Sequence, residues 1–195
     1  DGFGVYRSLD LFSILVLVLA SSQALMFTFM LILLFDSRYV TFANVMKHAA
    51  PSLVFILLYV VSCCIEADVC VYSLAEWRAC VVHNLPLAVR TLFGVTYTVQ
   101  LFVYVRLFFR KKHRYITHLK ELTGECISKL ELRWTMRAFL YALSIGIGAW
   151  VLLVCPGPIP EFSFSFLIVV FYPAFAWLYT NYHYTYEMLR RFIVE

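Results

Sequence analysis

The sequence predicts an all-α, polytopic integral membrane protein of about five transmembrane helices, with one amphipathic helix on the inner face. Three observations carry this expectation. Apolar residues make up 63% of the 195 residues and charged ones 14%; with a mean hydropathy of +0.81, the chain lies far from water-soluble domains. The apolar residues also gather into five long runs, more than a soluble fold of this size can hide. Finally, of sixteen Lys and Arg, thirteen fall in segments that alternate crossings place on one side, two on the other and one inside a run. That is the asymmetry of the positive-inside rule.

The first run, 11–35, lies between Asp10 and Asp36 and exceeds the ~30 Å hydrocarbon core at ~1.5 Å per residue. The second, 49–65, starts with Pro51 in its first turn, closes at Glu66 and Asp68, and extends toward Leu74 if those carboxylates sit at headgroup depth. The third is 85–109, the fourth 138–155 and the fifth 162–182. Between the last two, Cys155-Pro-Gly-Pro-Ile-Pro-Glu161 reads as a tight connection that interrupts helix, because Pro removes donors and biases its predecessor away from helix.

Five crossings place the termini on opposite faces. One face holds Arg38, Lys47, Arg190 and Arg191, with nine cations in the third connection: Arg106, Arg110, Lys111, Lys112, Arg114, Lys120, Lys129, Arg133 and Arg137. The other holds Arg7 and Arg78 among Asp1, Asp10, Glu66, Asp68, Glu76 and Glu161. The expected orientation is N-terminus outside and C-terminus inside. Leu11 to Leu19 followed by Ala20-Ser21-Ser22 resembles a signal-peptide core with a cleavage site, but the apolar run continues to Phe35, which favours a retained span.

The connection 110–137 repeats Ile116, Leu119, Leu122, Cys126, Leu130 and Trp134 at three- and four-residue steps. It therefore reads as an amphipathic helix, or a continuation of the third span bent at Gly124. Arg110, Lys111, Lys112 and Arg114 at its start are candidate ligands for anionic lipid headgroups, at ~1 kcal/mol per cation. One basic cluster beside a membrane is too little for a nucleic-acid interface.

Within the spans, Ser21, Ser22 and Gln23 of the first and Thr96, Thr98 and Gln100 of the third are candidates for bonds between helices or, if Ser22, Gln23, Thr96 and Gln100 converge, for a polar path. Gly146, paired with Ala142, and Gly148, paired with Ser144, give two small-xxx-small spacings suited to close helix contact. Arg90 is the one cation inside an apolar run; it reaches the headgroups by snorkelling, or meets Glu66 or Asp68 if those elements adjoin. Cys63, Cys64, Cys70, Cys80 and Cys155 gather toward the outer face, as packing residues or, for the last three, as disulfide partners in an oxidising compartment. The fifth run and tail, with Trp177, Tyr179, Tyr182, Tyr184 and Tyr186, predict an inner aromatic belt and a kink at Pro173.

No nucleotide-binding, hydrolase or zinc motif occurs, no cofactor is implied, and no His pair sits where two axial haem ligands would need to be. Arg90-Thr91-Leu92-Phe93-Gly94 weakly resembles the arginine segment of rotary-motor stator subunits, from which its spacing and following loop depart. The aromatic spans and basic loop resemble those of insect-type chemoreceptors, but the closing Tyr-and-Gln-Phe signature is missing and the topology differs. The expected function is that of a noncatalytic structural or assembly subunit, with membrane lipids and other membrane subunits as partners. An energy-converting complex of the mitochondrial inner membrane is the expected setting. A chemosensory-type receptor or channel subunit is the alternative, with a small transporter or divergent stator subunit behind it.

Overall fold

The computed structural model describes residues 9–123 and 125–194; side chains at 35, 118–134 and 182–194 fall outside the description. Six α-helices run in order: α1 Ile14–Phe35, α2 Phe42–Ile65, α3 Leu74–Cys80, α4 Leu85–Thr123, α5 Glu125–Val154 and α6 Pro158–Val194. All but α3 are long and apolar enough to cross a membrane, so the chain is a polytopic integral membrane protein.

The first span stands with α4 and α5 in the middle of the bundle, each of the three packing on at least three other helices. It packs on α2, α4 and α5, burying Leu17, Ala20, Leu31 and Ile32. The core has two main layers. Leu17, Phe93, Tyr97 and Ala149 form one, and Leu31, Phe108, Phe139, Phe171 and Phe175 the other. In the second layer the rings of Phe108 and Phe139 stack at 3.9 Å, while Phe27 of α1 meets Phe171 and Phe175 edge-on, each at 4.9 Å. The Phe27, Phe171 and Phe175 rings join α1 to α6, and Tyr179 of the expected belt stacks on Phe175 at 6.2 Å, whereas Trp177 is exposed.

Several boundaries differ from the sequence reading for identifiable reasons. The second span starts at Phe42, because the Thr41 side chain accepts a hydrogen bond from Asn44 N and caps the helix. Pro51 consequently lies in the interior of α2 rather than in its first turn. Downstream, α2 ends at Ile65 and does not continue to Leu74. The expected Pro-rich break is shorter than seven residues: α6 begins at Pro158, where first-turn prolines need no N–H partner. Helix α6 also runs unbroken through Pro173.

A separate amphipathic inner helix is absent from the described residues. The basic connection is the extension of α4, 39 residues long and so about 58 Å, followed by the first turns of α5. The expected bend at Gly124 lies outside the described residues, and the stripe from Leu119 to Trp134 outside the described side chains. Helix continues past the end of the third apolar run, from Arg110 to Thr123, because no Pro or Gly interrupts that stretch.

The small residues of α5 serve two neighbours. A Cβ on Gly146 would come within 3.0 Å of Leu101 on α4, whereas one on Gly148 would come within 3.0 Å of Phe164 on α6. The two spacings thus let α5 approach α4 with one and α6 with the other.

Candidate functional site

Two polar constellations stand at opposite ends of the bundle, with a third between α2 and α4. The first is built around Arg90, which projects from the second turn of α4 and is 1% exposed. Its guanidinium pairs with Asp10 and lies 3.1 Å from Asp68 Oδ1, and it donates to the Val69 carbonyl at 2.9 Å. Asp68 also accepts from the Tyr59 hydroxyl at 2.7 Å. Arg90 therefore does not snorkel. Of the two carboxylates weighed from sequence it meets Asp68, and it adds Asp10, whose position at the mouth of α1 marked a span border and nothing more.

The elements that surround Arg90 are fixed by accountable backbone bonds. The start of α4 has its donors met by side chains: Glu66 Oε2 accepts from Leu85 N at 2.8 Å, and Asn84 Oδ1 from Leu87 N at 3.0 Å. Pro86 between them has no donor to satisfy. Asn84 Nδ2 donates to the Ala67 carbonyl at 2.9 Å, tying the connection to the same turn. Helix α3 is capped by Ser73, whose side chain accepts from Glu76 N. Glu76 in turn accepts from Tyr72 N at 3.0 Å, a close variant of the capping box. The indole of Trp77 donates to Thr91 Oγ1 at 3.0 Å, which lays α3 against α4.

The segment before α1 is joined to four other parts of the chain in four consecutive residues. Leu9 N donates to Glu161 Oε1 at the start of α6, Asp10 pairs with Arg90 on α4, Leu11 N donates to Val71 O, and Phe12 N donates to Leu153 O at the end of α5. Phe12 adopts φ 54°, a left-handed conformation that costs a bulky residue of order 1–3 kcal/mol. It is held there by that bond and by its ring, which sits over Gly94. Charge, backbone and ring together close this end of the bundle.

At the opposite end Lys111, one of the four headgroup candidates, is engaged within the protein. Its Nζ lies 2.8 Å from Asp36 Oδ2 and 3.6 Å from the centroid of the Tyr39 ring. Arg110 and Arg114 are exposed and Lys112 is half-buried. The Lys111 hydrogen bond holds the Asp36 carboxyl below its ordinary value of 3.8. A depressed carboxyl contributes stability that is fully present above pH 3.8 and fades as pH falls through the lower folded value. Lys111→Met is therefore expected to lower the thermal midpoint at pH 6 and to differ less from the parent at pH 3. Because Asp36 is 35% exposed, the effect is modest. An equal difference at both pH values would discard the pair as its source.

The intramembrane candidates do not converge. Gln23 Nε2 donates to Tyr172 Oη at 2.7 Å, linking α1 to α6. Thr96 turns back to the Leu92 carbonyl of its own helix, and Ser22 is exposed. Gln100 is buried and donates to Ser52 Oγ at 3.2 Å and to the His48 carbonyl at 3.5 Å. Pro51, which has no N–H, leaves the Lys47 carbonyl without its helical donor, one residue before the His48 carbonyl that the Gln100 amide reaches. Gly146 contributes its carbonyl, which accepts from the Tyr97 hydroxyl at 3.1 Å. The five cysteines expected near the outer face are all unpaired.

A cavity of about 450 Å³ opens between α4 and α5 on the flank of the bundle. Leu101, Phe102, Val105, Leu143 and Ile147 line it, and Thr98 and Trp150 form its floor. Of the polar residues of the third span Thr98 is among its lining residues, whereas Ser22, Gln23, Thr96 and Gln100 are not.

No protein-family model, curated protein or solved structure matches this chain.

Proposed function

We propose that this chain is a noncatalytic subunit that helps to build a larger membrane complex, oriented with its N-terminus outside and its C-terminus inside. The observation that carries the proposal is the poor burial of two of its spans. Only 6% of the α2 span and 11% of the α6 span are buried within the chain. Leu53, Val54, Leu57, Leu58 and Val61 on α2 face outward, as do Phe162, Phe166, Val169 and Trp177 on α6. In lipid, helices are held by packing and by polar bonds rather than by a hydrophobic force. A span with so little packing against its own chain gains most from a neighbour.

The polar groups support the same reading. Gln23, Gln100 and Tyr97 spend their hydrogen-bonding capacity between helices, and Arg90 spends its charge on closing one end. Such bonds set the relative positions of the spans, which is the property an assembly surface needs. The orientation rests on the cation asymmetry of the sequence.

Extraction in a mild detergent, followed by a native gel and mass spectrometry of the co-migrating proteins, tests the proposal. The expected result is stable co-migration in a particle several times the 22.7 kDa mass of the chain. A lone chain or small homo-oligomer would sink it and bring ion flux and ligand binding forward.

A further inference from the structure

We infer that the α4/α5 flank is a binding site for an anionic glycerophospholipid of the basic-end leaflet, with one acyl chain in the cavity and the phosphate held by Arg106 and Lys112. This inference stands apart from the subunit proposal, because the site lies on α4 and α5 rather than on the outward faces of α2 and α6.

Three observations select this occupant. The first is chemical. The cavity of about 450 Å³ falls within the ~300–1,000 Å³ of small-molecule sites, and its walls are hydrocarbon. The one strong donor at its floor, the Trp150 indole, is already bonded to Thr98 Oγ1 at 3.0 Å. An apolar chain therefore enters without leaving a polar group unpaired.

The second is charge. The lining positions of α4, at 98, 101, 102 and 105, continue along the same helix face at three- and four-residue steps to Arg106, Phe109 and Lys112. Arg106 is exposed and Lys112 half-buried, and among the described residues neither has a carboxylate partner. Lys111, on another face, is occupied by Asp36. Among the described residues Arg38, Lys47, Arg110, Arg114 and Arg137 also form no ion pair, so Arg106 and Lys112 are distinguished from them by standing in line with the cavity.

The third is length. At ~1.5 Å per residue, Arg106 stands about 12 Å and Lys112 about 21 Å along α4 from the Thr98 floor, which brackets the ~15 Å depth of one leaflet. A tail reaching the floor puts its phosphate between the two side chains.

The test is tryptophan quenching in phosphatidylcholine vesicles that contain either phosphatidylglycerol or phosphatidylcholine with brominated acyl chains, at equal mole fraction. The signal is the quenching present in the parent and missing in Trp150→Phe, which removes the contributions of the other tryptophans. Brominated phosphatidylglycerol is expected to quench Trp150 in preference to brominated phosphatidylcholine. Arg106→Gln and Lys112→Gln, both at the rim, are each expected to reduce that preference about fivefold. Equal quenching by the two lipids would show that the cavity holds bulk lipid without selection, and overturn the inference. Absence of quenching by either would overturn it in favour of a cavity covered by protein. Anionic phospholipid retained by the detergent-purified parent, and lost from the double variant, would support it independently in native mass spectra.

Discussion

Arg90→Ala is expected to destabilise the protein by about 3 kcal/mol, the lower end of the ~3–5 kcal/mol for removing one partner of a buried ion pair. The lower end applies because Asp10 and Asp68 retain 18% and 24% exposure and keep some hydration. Most of the loss comes from two carboxylates left without a counter-charge, and some from the Val69 carbonyl losing its donor. Thermal unfolding in detergent should show a drop of about 6–12 °C for a chain of this size. Arg90→Lys should fall in between, since a single ammonium cannot fork between two carboxylates and a carbonyl. Neutralising the carboxylates in the same chain, with Asp10→Asn and Asp68→Asn added to Arg90→Met, should recover part of the loss. An unchanged midpoint in Arg90→Ala would remove the cluster from the account of how this end is closed.

The second large effect is expected at Gly94. A Cβ there would lie 2.7 Å from Cδ1 and 2.9 Å from Cε1 of Phe12, closer than side chains approach without displacement. Phe12 has little freedom to give way. Its N–H is bonded to Leu153 O, its backbone is already left-handed, and its ring lies 6.2 Å from that of Trp77. Gly94→Val is therefore expected to cost about 1–3 kcal/mol by overpacking. Gly157→Ala provides the contrast, because its nearest neighbour would be 3.8 Å away, and its midpoint should match the parent. Combining Gly94→Val with Phe12→Ala should be less harmful than the sum of the two, and strict additivity would show that the contact is not the cause.

Both predictions concern the same end of the bundle, and they differ in how readily sequence exposes them. Arg90 announces itself as the one cation in an apolar run, and Asp68 is a reasonable partner because it ends the preceding span. Asp10 is not, since charges border every span and nothing local pairs two of them 80 residues apart. Gly94 carries no sequence signal that points to Phe12: its small-xxx-small partner is Thr98, and its neighbour Phe12 lies outside its own helix. The lipid candidates divide similarly. Arg110, Lys111, Lys112 and Arg114 look equivalent as a basic run, and only the position of the 36–39 turn commits Lys111 to Asp36 and Tyr39. Gln100 is legible as a polar residue in lipid, whereas its partners, Ser52 and the His48 carbonyl, are set by which side of a different helix faces it.

The sequence by itself determined the class of the protein, the number of spans and their approximate limits. Those properties depend on the sum of apolar residues over about 20 positions and on breakers between them, both of which are local. It also marked Arg90 as a charge that must either snorkel to the headgroups or find a partner, because an unpaired charge in lipid is costly wherever the chain goes. Tertiary structure alone decided which partner, which face of α5 meets which neighbour, that α4 continues as helix as far as Thr123, and that a cavity lies in line with Arg106 and Lys112. These are matters of contact between residues far apart in the chain. Lipid covers any apolar face equally well, so composition does not distinguish the faces that pack from those that remain outside.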